Sequence, residues 1–234
     1  MRSAGEMMRY PIKNSFDEIL AQLTLVGPPA QPVSPRKVLF WGERAGEISS
    51  YVAGWLTGKG MDVIVLDGAN RFDPYIASSF ARKALISPER LLKRIRIARA
   101  FTCYQMATLM GERLGSFLKE EEEKKPWVII LGPVTTFLDE DVPEREVRPL
   151  FDRSLRRVEE IAIEGVPFLL FQSSGFSDSK RTYLTRRLFQ FSNLVWRISL
   201  EDEGPRVVLE KGLTELQIAD RKLQIEKSLS AAVR

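Results

Sequence analysis

An apolar stretch that stops at a glycine offers the first chemistry in the chain. Val38–Trp41 is apolar, Gly42 ends the run, and an apolar-periodic segment begins near Ile48. This order predicts a strand, a tight loop and a helix, which is where an α/β protein holds phosphate with backbone N–H groups. The spacing fits the phosphate-loop pattern G-x-x-x-x-G-K-[ST], and the residues in that frame are Gly42, Glu43, Arg44, Ala45, Gly46, Glu47, Ile48 and Ser49.

Two positions of this loop have the wrong chemistry for a triphosphate. Glu47 stands where the pattern has its second glycine, and Ile48 stands where it has lysine. An apolar side chain cannot offset phosphate charge, and a carboxylate at contact distance repels it by ~1 to 4 kcal/mol. Ser49 alone keeps a side chain that the pattern uses, a hydroxyl that would ligate Mg²⁺.

Composition excludes several classes of site. The chain has no histidine, so a Ser-His-Asp triad, a His-activated cysteine and a His-ligated metal are ruled out. The one cysteine, Cys103, cannot form an internal disulfide and suits a reducing cytosol. We see neither a ~20-residue apolar span nor a secretory signal in the polar start Met1–Glu6, and we expect a cytoplasmic protein without a membrane partner. A net charge of +4 permits nucleic acid as a partner without requiring it.

Short apolar runs alternate with helical patterns through most of the chain. This alternation predicts a doubly wound, mostly parallel sheet with helices on both faces, and the last two runs predict an antiparallel hairpin. We expect a core over residues 1–212 with a short N-terminal extension, and a helical tail over 213–234 that packs on the core or on a second copy. The predicted strands are Val38–Trp41, Met61–Leu66, Ile95–Ala100, Trp127–Leu131, Val166–Gln172, Leu194–Leu200 and Pro205–Glu210.

Helix signals lie between these strands. We expect helices after Ser15, over Ile48–Thr57, after Pro74 and Pro88, from Thr102 or Cys103 to Leu118, from about Pro149 to Glu164, and over Arg181–Phe191. Ligands of open α/β sheets bind at the carboxyl ends of the strands. The functional edge is therefore predicted at Gly42–Ser49, Asp67–Asp73, Gly132–Glu146 and Gln172–Ser179.

The order of these elements resembles the core of the RecA/RadA recombinase ATPases over roughly residues 15–210. The most specific match runs from Val65–Pro74 to Leu91–Phe101, which is similar to the RadA and RadB pattern of a strand, an acidic segment, a "P-E-x-x-L-x-x-I" turn and "A-R-A-F". Ser15–Leu20 resembles the family's "L-D-E-L-L" helix. Val166–Gln172 resembles the strand whose terminal glutamine senses the γ-phosphate and leads into a DNA-binding loop. The resemblance implies a RecA-like fold.

The resemblance also implies a lost ATPase site. The family's phosphate-loop lysine falls on Ile48, its water-activating glutamate on Ala69, and its metal-associated aspartate on Gly132. Ser49 and the sensor glutamine, Gln172, remain. Without the other three side chains, charge neutralisation, metal placement and the general base are all missing. We therefore expect no catalytic residue, no metal site and no ATP or ADP cofactor.

Basic residues bear on DNA binding. The resemblance places a DNA-binding loop near Lys180, Arg181, Arg186 and Arg187, and the rings of Phe176 and Tyr183 lie among them. Four neutralised phosphates would give a log–log salt slope of about −3 on single strands. We interpret the acidic segment Asp139–Glu146 as a solvated loop. A second basic set is interpreted as surface charge; it comprises Arg82, Lys83, Arg90, Lys93, Arg94, Arg96 and Arg99.

Three functions remain open at this point. The first is a non-catalytic RecA/RadA-like paralogue that binds DNA, itself or an active recombinase and assists recombination or repair. The second is a nucleotide-binding protein with slow or effector-dependent ATPase activity through a rearranged site. The third is a scaffold that binds neither DNA nor nucleotide.

Overall fold

Seven strands form one sheet in the computed structural model, which describes residues 37–120, 125–174, 181–201 and 204–212. The order across the sheet is β3-β2-β4-β5-β1-β6-β7. Neighbouring strands are parallel except for the last pair, β6 and β7, which is antiparallel. The strands are β1 Lys37–Gly42, β2 Val63–Asp67, β3 Ile95–Arg99, β4 Trp127–Leu131, β5 Phe168–Ser173, β6 Leu194–Glu201 and β7 Gly204–Lys211.

Helices connect the parallel strands. A π-helical turn, Leu109–Arg113, joins α4 to α5, and a short 3₁₀ turn, Thr135–Leu138, follows β4. The helices are α1 Ala45–Gly58, α2 Pro74–Lys83, α3 Pro88–Leu92, α4 Cys103–Thr108, α5 Leu114–Lys119, α6 Glu144–Ile163 and α7 Thr182–Phe191.

The sheet is covered on both faces because alternate residues of its strands point to opposite sides. In β1, Val38 and Phe40 pack with α1, while Leu39 packs with α4, α6 and α7. α2 and α3 enclose a small third cluster, which includes Ala77 and Leu91. The predicted α/β architecture is confirmed, including the antiparallel strands near the C-terminal end, and it is consistent with a RecA-like fold.

The loop-to-helix boundaries differ from the sequence prediction at two points. α1 begins at Ala45 instead of Ile48, so five of the eight residues of the predicted phosphate loop are helical. α6 begins at Glu144 instead of near Pro149, so the last part of the predicted acidic loop belongs to a helix. Pro149 costs that helix one backbone hydrogen bond. Val147, buried in its first turn, and two early glutamates favour the longer helix.

Several predictions lie outside the described residues. They are the helix after Ser15, the tail over 213–234, and two of the predicted DNA-contacting residues, Phe176 and Lys180.

Candidate functional site

The site is placed by the direction of the connections after β1 and β5. From β1 the chain crosses the sheet toward β2, and from β5 it crosses in the opposite direction toward β6. The two strands are neighbours, and Gly42 pairs with Ser173 at their carboxyl ends. Ligands of open α/β sheets bind outside such a reversal. This edge unites two of the four loops that the sequence indicated.

The turn after β1 is shorter than a phosphate loop. Only Glu43 and Arg44 lie between β1 and α1, and Arg44 adopts a left-handed conformation with φ 54°. Gly42 has φ +135°, and a Cβ atom there would lie 2.0 Å from the backbone oxygen of Ile198. The Glu43 N–H donates to the same oxygen at 3.2 Å. Strand β6 therefore packs directly against the tight turn after β1.

The side chains of this segment are engaged within the protein. Ser49 is buried, and its hydroxyl donates to the carbonyl of Gly46 at 2.7 Å. Ile48 is partly buried against the core under α1. Arg44 forms an ion pair with Glu47. The segment thus has neither a lysine nor a wide loop with which to wrap a triphosphate.

Ala69 and Gly132, two positions that the resemblance compares with catalytic residues, lie against each other. A Cβ atom on Gly132 would lie 2.7 Å from the Cβ of Ala69 and 2.7 Å from Oγ1 of Thr135. Gly132 also has φ +65°, a conformation that side chains rarely adopt. The backbone after β4 therefore occupies the space that larger side chains at either position would need.

Introducing the three side chains of the resembled family is not expected to create an ATPase. The triple variant Ile48→Lys, Ala69→Glu, Gly132→Asp is expected to release no more phosphate from Mg²⁺-ATP than the wild type, since the turn and the contact between residues 69 and 132 remain unfavourable. Measurable added turnover would contradict this.

A single substitution tests the left-handed backbone and the crowding at Gly132 together. Gly132→Ala is expected to lower the free energy of unfolding by about 1–3 kcal/mol because of its left-handed φ. Gly111→Ala is the matched control, since no atom lies within 4 Å of a Cβ built there. Urea unfolding of both variants measures the difference.

Asp67, at the end of β2, organises the loop that follows. Its carboxylate is fully buried and accepts the N–H groups of Ala69, Arg71 and Phe72 at 3.2, 3.2 and 3.0 Å. Arg99 of β3 lies 3.5 Å from it. The sequence placed Asp67 in a predicted functional loop without a specific role, although a carboxylate at a strand end before a Gly-containing loop is the available signal.

Gln172 links the segment after β4 to the end of β5. It is buried, its Oε1 accepts the Val134 N–H at 3.1 Å, and its Nε2 donates to the Ser173 carbonyl at 3.3 Å. The side chain therefore fixes the segment after β4 against the end of β5. In this position it acts as a structural support.

Arg181 differs from the expectation that it contacts DNA. It is 7% exposed, and its guanidinium donates to the carbonyls of Phe137, Asp139 and Val142. Its Nε also lies 3.2 Å from Glu144. The positive charge holds the segment between β4 and α6 against the start of α7, so it is not presented to a ligand.

The other predicted basic residues of α7 do face solvent. Arg186 and Arg187 are exposed, and together with Arg148 of α6 they line a groove of about 360 Å³ between the two helices. The same groove is lined by Tyr183, Gln190 and Asp152. We call it the arginine groove. Burial and the nearby Glu144 raise the pKa of Tyr183, so its phenol is neutral.

Two remaining predictions concern charged segments elsewhere. Members of the second basic set lie apart in separate ion pairs, such as Lys93 with Glu89, Arg94 with Asp62 and Arg96 with Glu120. The acidic residues also diverge: Glu144 faces Arg181, while Glu146 accepts a hydrogen bond from Tyr104 at 2.6 Å. Over the described ranges, no three His, Cys, Asp or Glu residues come together in a way that could hold a metal ion.

The helices seen in the described part of the chain include none that combines the length and the apolar character required to cross a membrane.

In comparisons with known proteins, no family model matches the chain, and no curated protein matches it.

Proposed function

We propose that this chain is a RecA/RadA-like protein without an ATPase centre, which binds single-stranded DNA and assists an active recombinase in recombination or repair. One observation carries the proposal: the arginine groove lies on α7, directly after the loop that the family resemblance assigns to DNA. Two further observations support it. The sheet is mostly parallel, and the side chains of the phosphate-loop segment contact other parts of the protein.

The charges of the groove suit a phosphate backbone. Three guanidinium groups face one carboxylate, and Asp152 pairs with Arg187 at 3.0 Å. Arg186 has no recorded ion pair within the described ranges. The guanidinium of Arg148 lies 5.8 Å from the centre of the Tyr183 ring. Planar guanidinium groups match phosphate oxygens, and a ring among them offers a surface on which bases stack.

The alternative of slow ATP turnover has less support. Its site would have to form at a two-residue turn whose serine hydroxyl donates to Gly46, with Ala69 against Gly132 at the catalytic positions. Arg44, the cation of that turn, is paired with Glu47, and no His, Cys, Asp and Glu cluster among the described residues could hold a metal. Phosphoryl transfer depends on both charge neutralisation and metal placement. The scaffold alternative is separated from our proposal by the binding experiment below.

Binding of a labelled oligothymidylate, followed by fluorescence anisotropy, tests the DNA part. Three phosphate contacts predict a log–log salt slope of about −2 over about 50 to 200 mM salt. Arg148→Gln with Arg186→Gln is expected to weaken binding by about 25-fold near 0.1 M salt and to reduce the slope by about 1.4.

A matched control removes the same charge elsewhere. Arg82→Gln with Arg90→Gln takes two exposed arginines from α2 and α3, and is expected to leave affinity and slope almost unchanged. Equal losses of affinity in both double variants would show that net charge, and not the groove, causes the effect. A wild-type affinity that does not depend on salt would refute the DNA part and favour the scaffold.

The partner part has its own test. The protein, added to a strand-exchange reaction of an active RadA-type recombinase, is expected to change the yield, and the groove double variant is expected to lose that effect. A yield unchanged at every protein concentration would reject assistance of a recombinase.

A further inference from the structure

A pocket of about 340 Å³ opens beside the arginine groove at the carboxyl ends of β1 and β5. We call it the edge pocket; it is lined mainly by Trp41, Phe189, Ser173, Thr182, Thr185 and Arg186. It lies where the connections after β1 and β5 diverge, the position at which open α/β sheets receive ligands. Gln172, the position that the resemblance compares with the γ-phosphate sensor, also lines it, whereas Ile48, Ala69 and Gly132 do not.

The pocket offers flat apolar surface that is held in place. The rings of Trp41 and Phe189 pack edge to face with centres 5.1 Å apart. The indole N–H of Trp41 donates to Glu210 of β7 at 2.8 Å, which fixes the ring's position. Phe189 is carried by α7, whose buried Leu188 anchors that helix in the core. Both rings are therefore positioned before a ligand arrives.

Polar groups stand around the rings. The side chains of Thr182 and Thr185 line the pocket and have no recorded hydrogen bond among the described residues, while Ser173 is exposed at its edge. Such hydroxyls can donate to or accept from the edge of a heterocycle. Arg186 lines both this pocket and the arginine groove, so its guanidinium lies between an apolar cavity and the proposed phosphate-binding site.

We propose that the edge pocket holds one unstacked nucleobase of a single strand whose phosphates lie in the arginine groove. This inference rests on the proposed DNA binding and adds to it a preference for unpaired bases. A nucleobase has apolar faces for the rings, a hydrogen-bonding edge for the hydroxyls, and a phosphate that Arg186 can bind. In a duplex the base would first have to be unpaired and unstacked, which costs a few kcal/mol.

The test compares strands that differ only in their bases. The full chain is titrated with an oligothymidylate, with an abasic strand of the same length, and with thymidine monophosphate. Anisotropy gives the affinities, and tryptophan fluorescence, with the Trp41→Phe variant subtracted, reports the pocket. We expect the base-bearing strand to bind about 10-fold tighter than the abasic strand, with quenching of Trp41 only by the former.

Variants locate the base contact. Phe189→Leu keeps an apolar side chain against Trp41 and is expected to abolish the difference between the two strands while keeping the salt slope. Phe101→Leu replaces a ring that is 67% exposed near β3, and is expected to preserve the difference.

The outcomes separate the two proposals. Equal affinity for both strands without Trp41 quenching overturns the base pocket and leaves the arginine groove intact, whereas no binding of either strand overturns both. A strand difference that persists in Phe189→Leu places the base elsewhere and also overturns the pocket. Trp41 quenching that is as strong with thymidine monophosphate as with the strand would assign the pocket to a free nucleotide and overturn the strand assignment.

Discussion

Replacing Arg181 with alanine is expected to lower the free energy of unfolding by about 3–4 kcal/mol, one of the two largest effects that we expect of a single substitution. The guanidinium satisfies the carbonyls of Phe137, Asp139 and Val142 in a nearly buried position. Alanine would leave these acceptors without a donor and open a cavity between the segment after β4 and α7. Lysine is expected to recover only part of the loss, because one ammonium cannot reproduce the planar fork.

Arg187→Ala is the matched control for this loss. It removes the same side chain six positions later, within α7, but Arg187 is exposed and pairs only with Asp152 among the described residues. Exposed ion pairs contribute about 0–1 kcal/mol. Urea unfolding followed by circular dichroism measures both variants. A loss for Arg181→Ala no larger than that for Arg187→Ala would refute the structural role of Arg181.

Asp67→Asn is expected to cost about 2–3 kcal/mol although it changes only one group of the side chain. The carboxylate accepts three backbone N–H groups while fully buried. An amide keeps one oxygen, and its NH₂ group then faces either the Phe72 N–H or the pair from Ala69 and Arg71. A donor is thus set against a donor, and the favourable charge near Arg99 is lost.

The neighbouring Asp73→Asn tests whether this cost is specific. Asp73 caps α2 by accepting the Tyr75 N–H at 2.8 Å, and asparagine caps helices about as well as aspartate. We expect its loss to stay within about 0.5 kcal/mol. Similar denaturation midpoints for the two variants would argue against a special role for Asp67.

Local patterns predicted most of the fold because they coincide with the tertiary arrangement. Trp127–Leu131 is apolar throughout and forms β4 with those bounds, since it is covered on both faces. The helices predicted after Pro88 and from Thr102 or Cys103 are present as α3 and α4, and Ser87 and Thr102 cap them. Pro149 misled the prediction of α6, because a buried Val147 outweighs the loss of one hydrogen bond.

The candidate site was less predictable because its geometry depends on contacts between distant segments. Sequence spacing gave Gly42–Ser49 the length of a phosphate loop, but the approach of Ile198 and the left-handed Arg44 shorten the turn. Arg181 and Arg186 have the same residue type and differ by five positions. Arg181 is buried because the segment after β4 packs on it, whereas Arg186 faces solvent. A charge pattern alone cannot make that distinction.

The position of β1 in the sheet has a consequence for how the chain is made. β1 pairs only with β5 and β6, and its Val38 meets Leu194, 156 residues later. Ribosomes add about 5–20 residues per second, so roughly 8–30 s separate the synthesis of these two partners. During that interval the apolar strand Val38–Trp41 lacks its neighbour β6, and chaperones that shield exposed strands have time to act. A strand from the start of the described chain is thus among the last to be enclosed.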